Sequence, residues 1–272
     1  MGDVRVPHDP GWVRDPGGPV ASTNGSGGRR QVGVLGRLGI YPPHRLSGAG
    51  RRALAYLAVR GPVVQRSLMC MDLWPELPEA RGRANLRRAL WQLPAGWVAT
   101  SGWDLRLLAE VDLDAALEVA AIALSSTQLG VEQLQLLTQD LLPGWYEEWL
   151  VGDQDQFHLR RIQALEEACR TATGAHDFGL ATSAGLAAVC AEPLRESAVT
   201  ALVQAHLREG NIFEAVRRYR NYVGLLRREL NVEPGDQLVS LLSQFAHSGP
   251  RFEPPTLFPQ RAGNRGGGLA RS

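Results

Sequence analysis

Sliding the chain against itself by 34 residues brings apolar positions into coincidence. Leu165 meets Val199, Ala168 meets Leu202, Phe178 meets Ile212, Ala181 meets Ala215 and Val189 meets Val223. A period of 34 is that of tetratricopeptide helix pairs. One such pair cannot bury its own apolar face, so pairs stack into a concave scaffold suited to protein contacts. The chain reads as helical from Asp112 onward. "LLPGWYEEWL" turns into a long helix through about Ala172, and further helices are expected near 177–190, 194–208, 212–230 and 235–246. Trp145, Tyr146 and Trp149 in that turn are expected to seal the helical core rather than to cage a ligand.

The first half reads differently. Residues 1–30 are rich in Gly, Pro, Ser and Asn without an apolar period, the composition of a disordered leader. "QVGVLGRLGI" reads as a strand, and its glycines make no cofactor loop because no G-x-G-x-x-G opens a helix there. "YPPHRLSG" turns the chain, with room for a short second strand. Ser47 is placed to cap a helix carrying Ala53, Leu54, Leu57 and Ala58 on one face and ended by Gly61-Pro62. A second helix, from about Gln65 to Trp74, is expected to bury Leu68, Met69 and Leu73 and to stop at Pro75. A third follows in "ARGRANLRRALWQL", residues 80–93, and Pro94 ends it. Two short strands, Trp97–Thr100 and Asp104–Leu108, then flank a Ser101-Gly102 turn, with Trp103 expected to pack on the sheet.

Strand, three helices and hairpin is the order of an OmpR-like winged helix-turn-helix, whose third helix enters the DNA major groove while the wing reaches backbone or minor groove. The expected class is therefore mainly α: a disordered leader over 1–30, a winged helix at 31–111, a tetratricopeptide-like helical-repeat domain at 112–246, and a disordered tail over 247–272.

Charge divides along the same line. Residues 29–97 hold twelve Arg against Asp72, Glu76 and Glu79, a net of +9, while residues 104–245 hold eleven Arg against twenty-one acids, a net of −10. A basic module joined to an acidic one suits a nucleic-acid binder with a protein-interaction domain. The third helix concentrates the basic charge. Leu86, Ala89, Leu90 and Leu93 mark one buried face. Arg81, Asn85, Arg88 and Gln92 fall opposite, with Arg83 and Arg87 on the flank.

Arg can pair bidentately with guanine and Asn or Gln with adenine, so Arg81, Asn85, Arg88 and Gln92 are candidates for base edges or phosphates. Arg83 and Arg87 are candidates for phosphate tracking. Arg66, with Arg51 and Arg52, sits near a helix start where phosphate is favoured, and Arg106 on the wing is a minor-groove candidate. The exposed connector "PELPEARG" offers Glu76, Leu77 and Glu79 to RNA polymerase, or is an ordinary helix link.

All 29 basic residues are arginine, which removes Walker-A, Schiff-base and kinase-type lysine chemistry. The six histidines are scattered without H-E-x-x-H, and G-x-S-x-G is missing, so no catalytic residue, metal or cofactor is expected. Cys70, Cys169 and Cys190 read as small core residues of a reducing compartment. With no signal peptide and no membrane-length apolar run, a cytoplasmic protein is expected.

Three segments carry a resemblance to a known family. "LMCMDLWPELPEARGRANLRRALWQL" is similar to the second and third helices of the Streptomyces antibiotic regulatory protein family. "LLPGWYEEWL" and "REGNIFEAVRRYRNYVGLLRRELNVEPGDQL" resemble its bacterial transcriptional activator domain, the latter through Tyr219, Tyr222, Arg228, Glu229, Leu230, Val232 and Pro234. The resemblance covers about residues 31–245. It implies a transcription factor that binds tandem repeats near promoters and recruits RNA polymerase; the chain is accordingly expected to be an activator that binds double-stranded DNA as a homodimer. No receiver domain precedes the winged helix, so control by aspartyl phosphorylation is not expected. Where the family continues its recognition helix with Leu-Arg-Arg, "LPAGW" follows Gln92 here. The alternative reading is accordingly a helical-repeat interaction protein whose winged helix has lost DNA binding.

Overall fold

The computed structural model describes residues 29–248. Of the expected leader only Arg29 and Arg30, and of the expected tail only His247 and Ser248, fall inside that range; the rest lies outside the described residues. The first elements are β1 (Gln31–Gly33), β2 (Gly39–Tyr41), α1 (Gly48–Val59), β3 (Val64–Gln65), α2 (Arg66–Leu73) and α3 (Glu79–Leu90). They are followed by β4 (Val98–Ser101), β5 (Asp104–Leu107) and β6 (Glu110–Val111). Seven helices complete the order: α4 (Asp112–Leu124), α5 (Val131–Leu136), α6 (Glu148–Gly174), α7 (Phe178–Ala191), α8 (Glu196–Glu209), α9 (Ile212–Glu229) and α10 (Asp236–Ser248).

The segment read as one strand is an antiparallel hairpin, with Val32 opposite Ile40. Gly36, at φ +72°, supplies the reversal, a conformation that costs glycine little. The second strand therefore ends at Tyr41, the first residue of "YPPHRLSG", rather than lying within that segment. β6 adds to β1 in parallel, giving the order β2-β1-β6, and a second sheet runs β3-β5-β4. Neither β3 nor β6 was expected: two residues are too few for a period-2 signal.

Ser47 caps α1 as expected, its Oγ accepting from Gly50 N at 3.3 Å. Ala53, Leu54, Leu57 and Ala58 are buried. On α2 the inward residues are Met69, Cys70 and Leu73, whereas Leu68 faces solvent. The helix is rotated so that Cys70 meets α3. Trp103 does not pack on the sheet; at the hairpin tip it is 72% exposed.

In the second half the 34-residue interval is structural. α7 starts at 178 and α9 at 212. Their caps are Asp177, accepting from Leu180 N at 3.1 Å, and Asn211, accepting from Glu214 N at 3.4 Å. Just before each cap stands a residue with positive φ, His176 at +61° and Gly210 at +87°. Leu165, Val199, Ala168, Leu202, Ala181, Ala215 and Val223 are buried, but Ile212 is exposed. Gly185 lets α7 close on its neighbours: a Cβ there would lie 3.0 Å from Leu202 Cδ1 and 3.1 Å from Cys169 Sγ. Cys70 and Cys169 are buried as expected and Cys190 is exposed. Among the described residues no helix is long and apolar enough to cross a membrane.

The two halves share a core. The apolar cluster beneath α1–α3 also takes in Leu141, Leu142, Trp149, Leu150 and Phe157. Trp149 seals it, 4.9 Å ring to ring from Tyr56, while Tyr146 is exposed and seals nothing. Polar contacts fix the joint. Asp112 accepts from Val34 N at 2.8 Å and Leu35 N at 3.1 Å, though burial still pushes its carboxyl above the usual range. Arg52 donates to Leu73 O at 2.9 Å and to Glu147 at 2.5 Å. Arg60 donates to Trp149 O at 2.7 Å and lies 3.5 Å from Asp153.

Candidate nucleic-acid interface

The third helix begins at Glu79, directly after Pro78, whose fixed φ suits a helix entry. Glu79 complements the positive end of the helix dipole and ion-pairs with Arg83 one turn on. An acid at the very start of α3 thus supplies part of the counter-charge. The inward line of the helix runs Gly82, Leu86, Ala89 and then Leu93 beyond its end, all buried. Gly82 is in that line because α3 crosses α2 there: a Cβ on Gly82 would fall 2.6 Å from Cys70 Sγ. Only hydrogen fits.

Once the inward line includes Gly82, the outward line passes through Arg87, Arg88 and Trp91, all exposed. Arg81 is exposed beside them. Among the described residues Arg81, Arg87 and Arg88 have no ion pair or side-chain hydrogen bond. Three guanidiniums with five donors each stand ready for an anionic surface. Asn85 lies to one side, half-buried. Gln92 is not brought together with them. α3 ends at Leu90, and Gln92 N to Ala89 O (3.2 Å) and Leu93 N to Leu90 O (3.1 Å) tighten the chain into a turn. That turn swings Gln92 toward α1, where its Oε1 accepts from Ser47 Oγ.

Around α3, Arg66 opens α2. Its backbone N donates to Trp103 O at 2.9 Å and its guanidinium to Thr100 Oγ1 at 3.1 Å, which ties it to the wing. Arg106 lies half-buried on β5, opposite Ala99. Arg51 is exposed on α1, whereas Arg52 is spent on the joint with Glu147. In the connector, Glu76 and Leu77 are exposed and Leu77 N closes a turn onto Trp74 O at 3.1 Å; Glu79 belongs to α3 and to Arg83.

Sequence reasoning missed Trp91, which is 86% exposed. Its spacing of four from Arg87 and three from Arg88 is the signal that could have found it. The other exposed indole near this face, Trp103, stands at the wing tip and not on the sheet where its sequence context puts it.

The family profile described as the bacterial transcriptional activator domain matches residues 106–244, just over half of the chain. No curated protein matches the chain. Among solved structures, EmbR of Mycobacterium tuberculosis, in complex with a low-affinity phosphopeptide, is similar with a TM-score of 0.58 at 20% identity. The likeness covers 82% of this chain and 66% of EmbR, so this chain spans just under two thirds of that protein. At that identity the likeness is one of fold.

Proposed function

The chain belongs to the bacterial transcriptional activator domain family, as a regulator of the Streptomyces antibiotic regulatory protein type, and from that premise we propose that it is a sequence-specific DNA-binding activator. The observation that carries the reading is the outward face of α3, where Arg81, Arg87 and Arg88 are exposed and, among the described residues, without counter-ions. Arg88, in the last turn of α3, is assigned to base edges, and Arg81 and Arg87 to phosphates or bases beside it. Arg83, already neutralised by Glu79, is a weaker phosphate contact. Asn85, Gln92, Arg66 and Arg106 are supporting positions at the rim. Two protomers on tandem promoter repeats would place their recognition helices about one helical turn apart. Glu76 and Leu77, with Glu79 behind them, form the surface offered to RNA polymerase. The mechanism is binding and recruitment in the cytoplasm, without catalysis or cofactor.

The experiment uses the whole chain, because a fragment ending at 111 would lose Leu141, Leu142, Trp149 and Phe157 from its core. Duplexes from upstream of neighbouring genes are titrated at several salt concentrations. Affinity should fall steeply with salt. Arg88→Ala should cost about 1–3 kcal/mol on the preferred site and relax preference at one base pair. The early end of α3 and the diversion of Gln92 favour the alternative, a helical-repeat interaction protein without DNA binding. Salt-independent or undetectable binding to every duplex would establish that alternative.

A further inference from the structure

Trp91 stands immediately past the last residue of α3 and is 86% exposed. An indole is the largest apolar side chain a protein surface can leave in water, and this one stands beside the exposed guanidiniums of Arg87 and Arg88. Its backbone is not loose. Trp91 N donates to Arg87 O at 3.0 Å, Leu93 is buried two residues on, and Gln92 between them is held by Ser47. The ring is therefore presented from a fixed support, which lowers the ordering cost of any contact it makes.

What it can meet follows from its place. A recognition helix lies along the base edges, and the chain past its end leaves them for the wall of the groove. That wall is a ribbon of deoxyribose rings edged by phosphate oxygens. An indole matches both features, with an apolar face for the sugar and an Nε1–H donor for the oxygen. Arg87 and Arg88, one turn earlier on the same line, supply the positive charge that such a ribbon requires. We propose that Trp91 is a DNA-backbone contact, its ring packed on deoxyribose at the groove wall beyond the phosphate taken by Arg87. This rests on the DNA-binding reading above.

The test compares the full-length wild type with Trp91→Ala, Trp91→Phe and Trp91→Arg. The probes are a 30-bp duplex selected from a random pool by the wild type and a shuffled duplex of the same composition. Anisotropy titrations are run over a series of KCl concentrations. Trp91→Ala should weaken both duplexes by the same factor, about five- to tenfold, the size expected for uncovering part of an indole. Its salt slope should not change, because no charge is lost. Trp91→Phe should recover most of the affinity. Trp91→Arg should recover it at low salt and steepen the slope by about one, since a cation there would reach phosphate. The emission change on adding DNA should be smaller in Trp91→Phe than in the wild type.

Unchanged affinity in Trp91→Ala overturns the proposal, and so does a loss confined to the selected duplex, which would make Trp91 a base reader. Wild type that binds neither duplex overturns the DNA reading itself, and the two failures are thereby distinct. Because the ring is exposed, all three variants should melt with the wild type. Should Trp91→Ala melt lower, the phenylalanine and arginine variants decide the same question.

Discussion

Replacing Gly82 by alanine sets two opposed effects against each other at the crossing of α2 and α3. In a helix the change gains up to about 1 kcal/mol of propensity, less near the first turn where Gly82 lies. Against this, the new Cβ would sit 2.6 Å from Cys70 Sγ, roughly 1 Å inside ordinary carbon–sulfur contact. Inserting a methyl into a packed core costs about 1–3 kcal/mol, because neighbours must leave their rotamers or the backbone must shift. Overpacking wins, and Gly82→Ala should destabilise the protein by about 0–2 kcal/mol. Cys70→Ala removes the obstructing sulfur at a cost of about 1 kcal/mol on its own.

In that background Gly82→Ala should become neutral or stabilising, a coupling of about 1–3 kcal/mol between the two sites. The assay is urea unfolding of the four proteins followed by circular dichroism. DNA titrations of the same set add a functional arm: affinity should drop when α3 is pushed off α2 and return in the double variant. If the two substitutions add within about 0.5 kcal/mol, the close approach at Gly82 does not position the helix, and the assignment of its outward line falls with it.

Two further outcomes follow from the joint between the halves. Trp149→Ala should cost about 3–5 kcal/mol and leave one unfolding transition, since Trp149 and Tyr56 belong to a core common to both halves; two separated transitions in the wild type would refute the shared core. Burial pushes the Asp153 carboxyl up although Arg60 opposes the shift, so the ionised form is disfavoured by folding. A carboxyl raised in the fold contributes stability below its unfolded pKa and loses it as pH rises through the folded value. Asp153→Asn should accordingly gain on the wild type in thermal melts as pH rises from about 4 to 7, and a gap that narrows over that range would refute the sign.

The repeat was legible because its signal is long and local. Each apolar match at 34 residues reports one helix face, and in the structure the caps Asp177 and Asn211 keep the same interval. The hairpin at Gly36 and the strands β3 and β6 were not legible for the opposite reason. They are held by partners distant in sequence, as Gln31 and Val32 are by Glu110 and Val111, and two residues carry no pattern of their own. Arg52 and Arg60 show the same limit in chemical form. Nothing local distinguishes an arginine bound for Glu147 or Asp153 from one bound for phosphate. Their acids come far later in the chain.

The rotation of α3 was hidden by glycine. A hydropathy pattern weighs Leu86, Ala89, Leu90 and Leu93 and gives Gly82 nothing, although Gly82 marks where the helix backbone comes closest to α2. Adding it turns the inward direction by part of a residue step, and Leu90 moves to the margin of the core. At about 100° per residue the direction opposite Leu86, Ala89, Leu90 and Leu93 already lies between Arg88 and Trp91 and well away from Asn85, and adding Gly82 brings it closer to Arg87. The face so placed carries a third arginine and an indole where two amides were expected. A helix bearing amides in that position would read adenine. One bearing guanidiniums and a ring should read guanine and grip the backbone. The preferred site selected from a random pool should thus be marked by guanine opposite Arg88, with no fixed adenine set by Asn85 or Gln92.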